Sequence, residues 1–175
     1  MEIRTDLAME TEPIRSGALP GGVIVRRETR YGAEATVVEL KTRAAARAVG
    51  KPRGIYITLE LEPVLRREKD SFDRTAEALG RYLRDLIHLP RALPVLVAGL
   101  GNRDVTPDAV GPMTADHILV TRHMLRKMPG QFGNFRPVSA LVPGVLGSTG
   151  MESAETVRAL AQRTGAAAVV AVDAI

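Results

Sequence analysis

One short apolar run constrains the fold of this chain more than any other stretch. Residues 95–98 are apolar at every position, which is typical of a parallel strand buried on both faces. Gly99 and Gly101 then permit a tight turn, and Thr106, Pro107 and Asp108 are typical of a helix start with Thr at the N-cap. We therefore expect a strand, a loop and a helix that hold Asp108 at the strand's carboxyl end, where ligands of open α/β sheets bind.

A second apolar run, residues 166–172, predicts another buried strand, and Asp173 follows it directly. Between the two strands the pattern predicts a helix from residue 108 to at least 124, an irregular connection over 129–150 and a helix over 152–163. A parallel sheet with right-handed crossovers satisfies this order. In such a sheet Asp108 and Asp173 share one edge.

The first half of the chain has a different pattern. Strands are predicted over residues 23–30, 35–42 and 55–61, with a turn at Tyr31-Gly32, and together they indicate a β-rich layer that is antiparallel or mixed. An amphipathic helix is expected from Ser71, because apolar residues recur at helical spacing: Phe72, Ala76, Leu79, Leu83 and Leu86. Residues 1–20 lack an apolar period and are expected to form a mobile arm, leaving residues 21–175 as a single α/β domain.

Composition excludes several classes of protein. The absence of Cys excludes disulfides and thiolate metal sites. The net charge is +4, but the basic residues are scattered and are not interleaved with aromatic residues, which argues against direct nucleic-acid binding. No apolar run approaches the roughly 20 residues of a membrane helix. We expect a soluble, cytoplasmic protein without membrane association.

Two aspartates on one edge of a sheet can divide acid and base chemistry. An ionised Asp takes a proton from the water that attacks a carbonyl, and its protonated neighbour donates a proton to the carbonyl oxygen or the leaving amine. The same pair is also suited to a divalent metal that activates the water. Purely structural roles remain open, since Asp108 is also placed to complement a helix dipole and Asp173 to end a strand.

Other kinds of site fit the sequence less well. The loop begins like a dinucleotide fingerprint, but Asp104 stands where the third glycine belongs and would face the pyrophosphate. Neither a Gly-Lys-Ser/Thr phosphate loop nor a Gly-x-Ser-x-Gly elbow occurs. His117 and His123 are six residues apart and are therefore expected on different helix faces, which argues against a zinc pair.

The chain resembles the germination proteases of spore-forming bacteria, which are endopeptidases that degrade small acid-soluble spore proteins when a spore germinates. The matching motifs occur in order over essentially the whole chain. They are Arg4-Thr-Asp-Leu-Ala8, Gly50-Lys-Pro-Arg-Gly-Ile-Tyr-Ile-Thr-Leu-Glu60, Gly99-Leu-Gly-Asn-Arg-Asp-Val-Thr-Pro-Asp-Ala-Val-Gly-Pro112, Val120-Thr-Arg-His123, Arg136-Pro-Val-Ser-Ala140, Pro143-Gly-Val-Leu-Gly147 and Ala171-Val-Asp-Ala174.

The resemblance implies a three-layer α/β/α sandwich with a mostly parallel sheet, similar to hydrogenase maturation proteases, preceded by the N-terminal β-rich layer. It implies Asp108 and Asp173 as the catalytic pair of an atypical aspartic-type peptidase, with Gly99, Gly101 and Asn102 supporting the site. No cofactor is expected. A divalent metal remains open, because the equivalent acidic residues of the maturation proteases bind nickel.

The resemblance also implies a self-cleaving zymogen. Substrates of the family are cut after Glu or Asp, before a hydrophobic residue that Ala follows. Thr5-Asp6-Leu7-Ala8 matches this pattern, so Asp6 and Leu7 are the expected autoprocessing site. Small acid-soluble spore proteins are the expected substrates, a homo-oligomer (a tetramer) the expected assembly, and the forespore or spore core the expected location.

Germination proteases run to about twice the length of this chain, which predicts that the sequence is truncated at its C-terminus. Two alternatives to a metal-independent germination protease remain. One is an inactive fragment that acts only as a folding or oligomerisation module. The other, less favoured, is a metal-dependent protease of the maturation type.

Overall fold

The computed structural model describes residues 7–174, and these divide between His88 and Leu89 into two compact units. Each unit has its own three-stranded sheet, antiparallel in the first and parallel in the second. The α/β fold predicted from the sequence is therefore confirmed. No helix in the described part of the chain is long and apolar enough to cross a membrane.

The N-terminal unit is built on an antiparallel sheet of strand order β1-β2-β3, which confirms the predicted β-rich layer. A 3₁₀ turn at Ala8–Glu10 precedes these elements: α1 (Glu12–Arg15), β1 (Val23–Arg30), β2 (Ala33–Leu40), α2 (Arg43–Val49), β3 (Gly54–Leu59), α3 (Glu62–Leu65) and α4 (Ser71–Leu86). Helix α2 was not expected from the sequence. Thr42 starts it, because its side-chain oxygen accepts a hydrogen bond from the Ala45 N–H at 3.0 Å.

Strand β2 is the centre of this unit because both of its faces are buried. Val38 and Leu40 point to one face, where they pack in a cluster with Ala8, Ala45 and Val49 from the N-terminal turn and α2. Alternate residues of a strand point to opposite faces, so Ala35 and Val37 lie on the other face, and they too are buried. Helix α4 packs against β2 and β3.

The start of the chain is packed where the structure describes it. Ala8 is only 2% exposed and belongs to the core cluster, with Met9 and Ile14 against it. The Thr11 hydroxyl donates to the Ala8 carbonyl at 2.8 Å and closes the 3₁₀ turn. Within the stretch predicted to be a mobile arm, the part from Leu7 onward thus includes residues of the core.

Two tyrosines connect the β1–β2 turn to α4. Tyr31 and Gly32 both have positive φ, 57° and 80°, and form the predicted two-residue turn. The Tyr31 ring lies edge-on to Tyr82 with centroids 5.4 Å apart. The buried Tyr82 hydroxyl donates to the Glu28 carboxylate at 2.8 Å. Burial, reinforced by this hydrogen bond and the charge of Glu28, raises the pKa of Tyr82 to about 12.

The Tyr82 substitution to Phe tests this arrangement. An unfolded tyrosine titrates near pH 10, so the folded state holds this proton more tightly than the unfolded chain does. The stabilisation, on the order of 2 kcal/mol, is fully present below about pH 10 and is lost as the pH rises towards 12. The unfolding free energy of Tyr82→Phe should therefore fall less than that of the wild type as the pH rises from about 10 to 12. Urea unfolding of both proteins at several pH values in this range measures the difference. The same pH dependence in both proteins would contradict the assignment.

The C-terminal unit is built on a parallel sheet of strand order β5-β4-β6. The predicted parallel pairing of the two apolar strands is therefore confirmed. The elements are β4 (Val95–Gly99), a 3₁₀ turn (Thr106–Asp108), α5 (Val110–Asp116), α6 (Arg122–Lys127), α7 (Pro129–Phe132), β5 (Val138–Leu141), α8 (Leu146–Thr149), α9 (Ser153–Thr164) and β6 (Ala168–Val172). Helix α5 packs against all three strands.

The continuous helix predicted from residue 108 to at least 124 is wrong. The chain forms α5, leaves the helical path over residues 117–121 and starts again in α6. Thr121 explains the break, because it is buried and bonded to β5: its N–H donates to the Val138 carbonyl at 3.0 Å, and its hydroxyl oxygen accepts from the Val138 N–H at 2.9 Å.

Two further differences between prediction and structure concern strands. Strand β5 lies within the stretch predicted to be irregular, and its four residues are too few to give a clear period in the sequence. Strand β4 is buried at all five positions, as predicted, but β6 at the edge of the sheet alternates between exposed and half-buried residues. The prediction that both apolar strands are buried on two faces therefore holds for β4 only.

Candidate active site

The candidate site is organised by a close approach of three backbone segments. The start of α5 crosses the carboxyl ends of β4 and β6. A Cβ atom at Gly99 would lie 2.1 Å from the Gly111 carbonyl oxygen, and one at Gly111 would lie 2.1 Å from that of Leu100 and 2.4 Å from that of Val172. The Leu100 N–H donates to the Val172 carbonyl at 2.8 Å and extends the β4–β6 pairing. Only glycine fits at Gly99 and Gly111.

Asp108 lies in the loop above this crossing and is half-buried. Its Oδ2 accepts a hydrogen bond from the Asn102 backbone N–H at 2.7 Å. Gly101 has a φ of +111°, and a Cβ there would lie 2.7 Å from Asp108 Oδ1. Of the three residues expected to support the site, Gly101 and Asn102 therefore contact Asp108 and Gly99 lies at the crossing.

Asp173 comes directly after β6, as the sequence predicts. Its side chain is exposed, and its Oδ1 accepts from the Ala174 N–H at 2.9 Å. Because Leu100 pairs with Val172, the loop that carries Asp108 leaves the sheet beside Asp173. The two aspartates therefore lie at the same edge in different surroundings, one in a glycine loop and one open to water.

The predicted helix start at Thr106 is wrong. Thr106–Asp108 is a 3₁₀ turn without a side-chain cap, and α5 begins later, with Ala109 at its N-cap. The polar side chain that shapes the loop is instead that of Asn102, whose Oδ1 accepts from the Asp104 N–H at 2.9 Å.

An ion pair that no sequence pattern predicted joins the same loop to α5. Both guanidinium nitrogens of Arg103 bond the Asp116 carboxylate, at 2.5 and 3.0 Å. The hydrogen bond and charge of Arg103 hold the pKa of Asp116 below its ordinary value. The partners are separated by a loop and a helix, so no local spacing rule identifies them.

The predicted autoprocessing site lies near the start of the sequence, before β1. Asp6 lies outside the described residues. Leu7 is partly exposed and precedes the 3₁₀ turn that places Ala8 in the core.

Clusters of metal-ligating side chains and the two histidines singled out in the sequence were compared with the placement of these residues in the fold. Among residues 7–174, no group of three or more His, Cys, Asp or Glu side chains is arranged to hold one. His117, at the end of α5, contacts the Met113 carbonyl through Nδ1 at 2.8 Å, whereas His123 belongs to α6. The two histidines, predicted to lie on different faces of one helix, therefore belong to different elements.

Comparison with known proteins shows which family this chain resembles. A family model described as germination protease matches residues 4–175. The chain is 41% identical to the germination protease of Caldanaerobacter subterraneus subsp. tengcongensis, with 99% of this chain and 54% of the relative covered. It is 35% identical to those of Clostridium perfringens and Priestia megaterium, again over 99% of this chain, with 55% and 50% of the relatives covered.

The chain therefore belongs to the germination protease family, which is a family of peptidases. It spans about half the length of the curated relatives it matches.

A pair of Gly-to-Ala substitutions tests the backbone crossing. Gly111→Ala places a Cβ against two backbone carbonyls that cannot move independently, and we expect it to cost about 3 kcal/mol of unfolding free energy. Gly80→Ala is the matched control, because Gly80 is inside α4 and no heavy atom lies within 4 Å of an added Cβ. The unfolding free energy of Gly80→Ala should rise by up to about 1 kcal/mol, because alanine favours a helix more than glycine does. Urea unfolding of both variants measures the difference. Equal unfolding free energies for Gly111→Ala and Gly80→Ala would contradict the close approach of α5 to the strand ends.

The loop ion pair predicts a titration shift. Arg103→Gln removes the guanidinium that lowers the pKa of Asp116, so that pKa should rise to the ordinary range of an exposed aspartate. Carboxyl-carbon NMR titration of Asp116 in both proteins measures this change. An unchanged midpoint would show that the two groups do not interact in solution.

Proposed function

We propose that this chain is the catalytic part of an endopeptidase that initiates degradation of small acid-soluble spore proteins during spore germination. One observation carries the proposal: in a member of the germination protease family, two aspartates lie at the carboxyl edge of the parallel sheet. The proposed place of action is the cytoplasm of the forespore and the spore core.

Asp108 and Asp173 would share the acid and base steps. The ionised carboxylate of the pair takes a proton from a water molecule as that water attacks the peptide carbonyl. The protonated carboxyl of the pair donates its proton to the leaving amine, so the pair ends with as many protons as it began with. The Asn102 N–H fixes the orientation of the Asp108 carboxylate during both transfers.

The proposed specificity is cleavage after Glu or Asp, before a hydrophobic residue followed by Ala. Autoprocessing of the zymogen between Asp6 and Leu7 follows the same rule. Ala8 is packed in the core of the N-terminal unit. Self-cleavage would therefore require this segment to leave its packing before it enters an active site.

The proposed partners are the spore proteins that serve as substrates and further copies of this chain in a homo-oligomer, a tetramer by family resemblance. Direct binding of nucleic acid is not part of the proposal, because the basic residues do not form a run interleaved with aromatics.

Substitution of each aspartate tests the catalytic assignment. Asp108→Asn keeps an oxygen that can accept the Asn102 N–H but cannot act as an acid or base, and Asp173→Asn is its counterpart after β6. We expect each substitution to lower the kcat for cleavage of a peptide containing Glu-Ile-Ala at least about 100-fold. Mass spectrometry of the products measures the cleavage. Asp104→Asn is the control, because Asp104 is an exposed aspartate of the same loop and should retain activity.

The other outcomes separate the alternatives. Full turnover by either Asn variant would contradict the catalytic pair. A folded wild-type chain without turnover would favour the inactive module. Turnover lost on chelation and restored by a divalent metal would favour the metal-dependent protease.

A further inference from the structure

Arg103 is the one basic residue in the loop between β4 and α5, the loop that also carries Asp108. It follows Asn102, whose backbone N–H bonds the Asp108 carboxylate, so its Cα lies about 3.8 Å from that of Asn102. Its side chain is 52% exposed. A cation therefore reaches solvent from the same loop that holds Asp108.

Asp116 fixes the direction of the Arg103 guanidinium but does not use all of its donors. Nη1 and Nη2 each donate to one oxygen of the Asp116 carboxylate, in an end-on pair. A guanidinium carries five N–H donors in a planar fork, and none of the described residues accepts a hydrogen bond from Nε. Nε and the second N–H of Nη2 point to one side of the fork, where another carboxylate can bind through two parallel hydrogen bonds.

The other Lys and Arg residues of the C-terminal unit lie on other segments. Arg91 and Arg136 are in the stretches that enter β4 and β5. Helix α6 carries three more and follows Thr121, which bonds Val138 at the start of β5. The remaining two are on α9, which leads to the start of β6. The stretches that follow β5 and β6, residues 142–152 and 173–174, have none. Arg103 is therefore the cation on a segment that leaves the sheet at its carboxyl edge.

An acidic substrate side chain needs a cation at this edge. The loop and the end of β6 carry three further aspartates, Asp104, Asp108 and Asp173, and nearby carboxylates disfavour another negative charge. The cleavage rule proposed above places Glu or Asp directly before the cleaved bond. A bidentate pair with a guanidinium is the strong, geometrically specific way to bind such a carboxylate.

We propose that Arg103 binds the side-chain carboxylate of the substrate residue before the cleaved bond, through Nε and Nη2. This role rests on the proposed endopeptidase function and adds the residue that determines its preference for Glu or Asp. Asp116 is a positioning residue here: it holds the guanidinium through Nη1 and Nη2 and does not touch the substrate.

Binding of two uncleavable peptides to the full chain tests this role. The peptides contain Glu-Ile-Ala or Gln-Ile-Ala, with a hydroxyethylene group in place of the peptide bond before Ile, and they differ by one charge. We expect the wild type to bind the Glu peptide at least about tenfold more tightly, because a charge-assisted pair is stronger than a neutral hydrogen bond. The two Kd values of Arg103→Gln should agree within about twofold. Fluorescence anisotropy of labelled peptides measures all four.

Two further variants separate substrate binding from support of the loop. Asp116→Asn breaks the same ion pair but leaves the guanidinium, so it should retain most of the preference for the Glu peptide. Arg103→Lys keeps the charge without the planar fork and should retain only part of it. As large a loss of preference in Asp116→Asn as in Arg103→Gln would show that the ion pair only supports the loop, and would overturn the proposed contact.

Cleavage of the ordinary Glu-Ile-Ala peptide, followed separately, distinguishes this contact from the proposed function. Cleavage together with a Glu preference that survives Arg103→Gln would overturn the contact and leave the endopeptidase standing. A Glu preference that depends on Arg103, without cleavage, would support the carboxylate site and contradict the endopeptidase. A wild type that binds neither peptide, or both equally, would overturn the contact whether or not cleavage occurs.

Discussion

The crossing of α5 over the ends of β4 and β6 is the contact on which the candidate site depends. Gly99 and Gly111 allow backbone to meet backbone there, and Leu100 bonds Val172 at the same point. The loop that carries Asp108 therefore starts and ends at fixed places on the sheet. Since Asp173 is the next residue after Val172, the same crossing brings both aspartates to one edge of the sheet.

The loop above the crossing is held by its own backbone and by one ion pair. The Asn102 N–H bonds Asp108, the Asn102 side chain bonds the Asp104 N–H, and Arg103 reaches Asp116 on α5. The ion pair is exposed, so its contribution to stability is small. Its consequence is geometric, because it joins the middle of the loop to the helix that follows.

The two units bury their sheets in similar ways. In each, the middle strand is the best buried: β2 carries more of the N-terminal core than any other element of that unit, and β4 is buried at every position. The neighbouring strands are less covered, and α4 leaves a whole apolar stripe exposed. The less covered surfaces of each unit therefore lie at its periphery, away from its central strand.

The sequence by itself determined the α/β fold, the parallel β4–β6 pair and the position of both aspartates at strand ends. It did so because a continuous apolar run and a Gly-x-Gly turn are local patterns with few structural solutions. It also identified the apolar stripe of α4, since helical periodicity is visible in one dimension. Family membership follows from ordered motifs, which need no structure.

Only the tertiary structure decided which surfaces are covered. The predicted long helix breaks because Thr121 bonds β5, a strand too short to recognise. The start of α5, the Arg103–Asp116 pair and the burial of Ala8 likewise depend on groups that are distant in sequence. The stripe on α4 faces outward because Ala78 and Tyr82, on an adjacent face of the helix, pack inward instead. Local patterns specify which residues share a face, but the partner of that face is set by contacts that no local pattern contains.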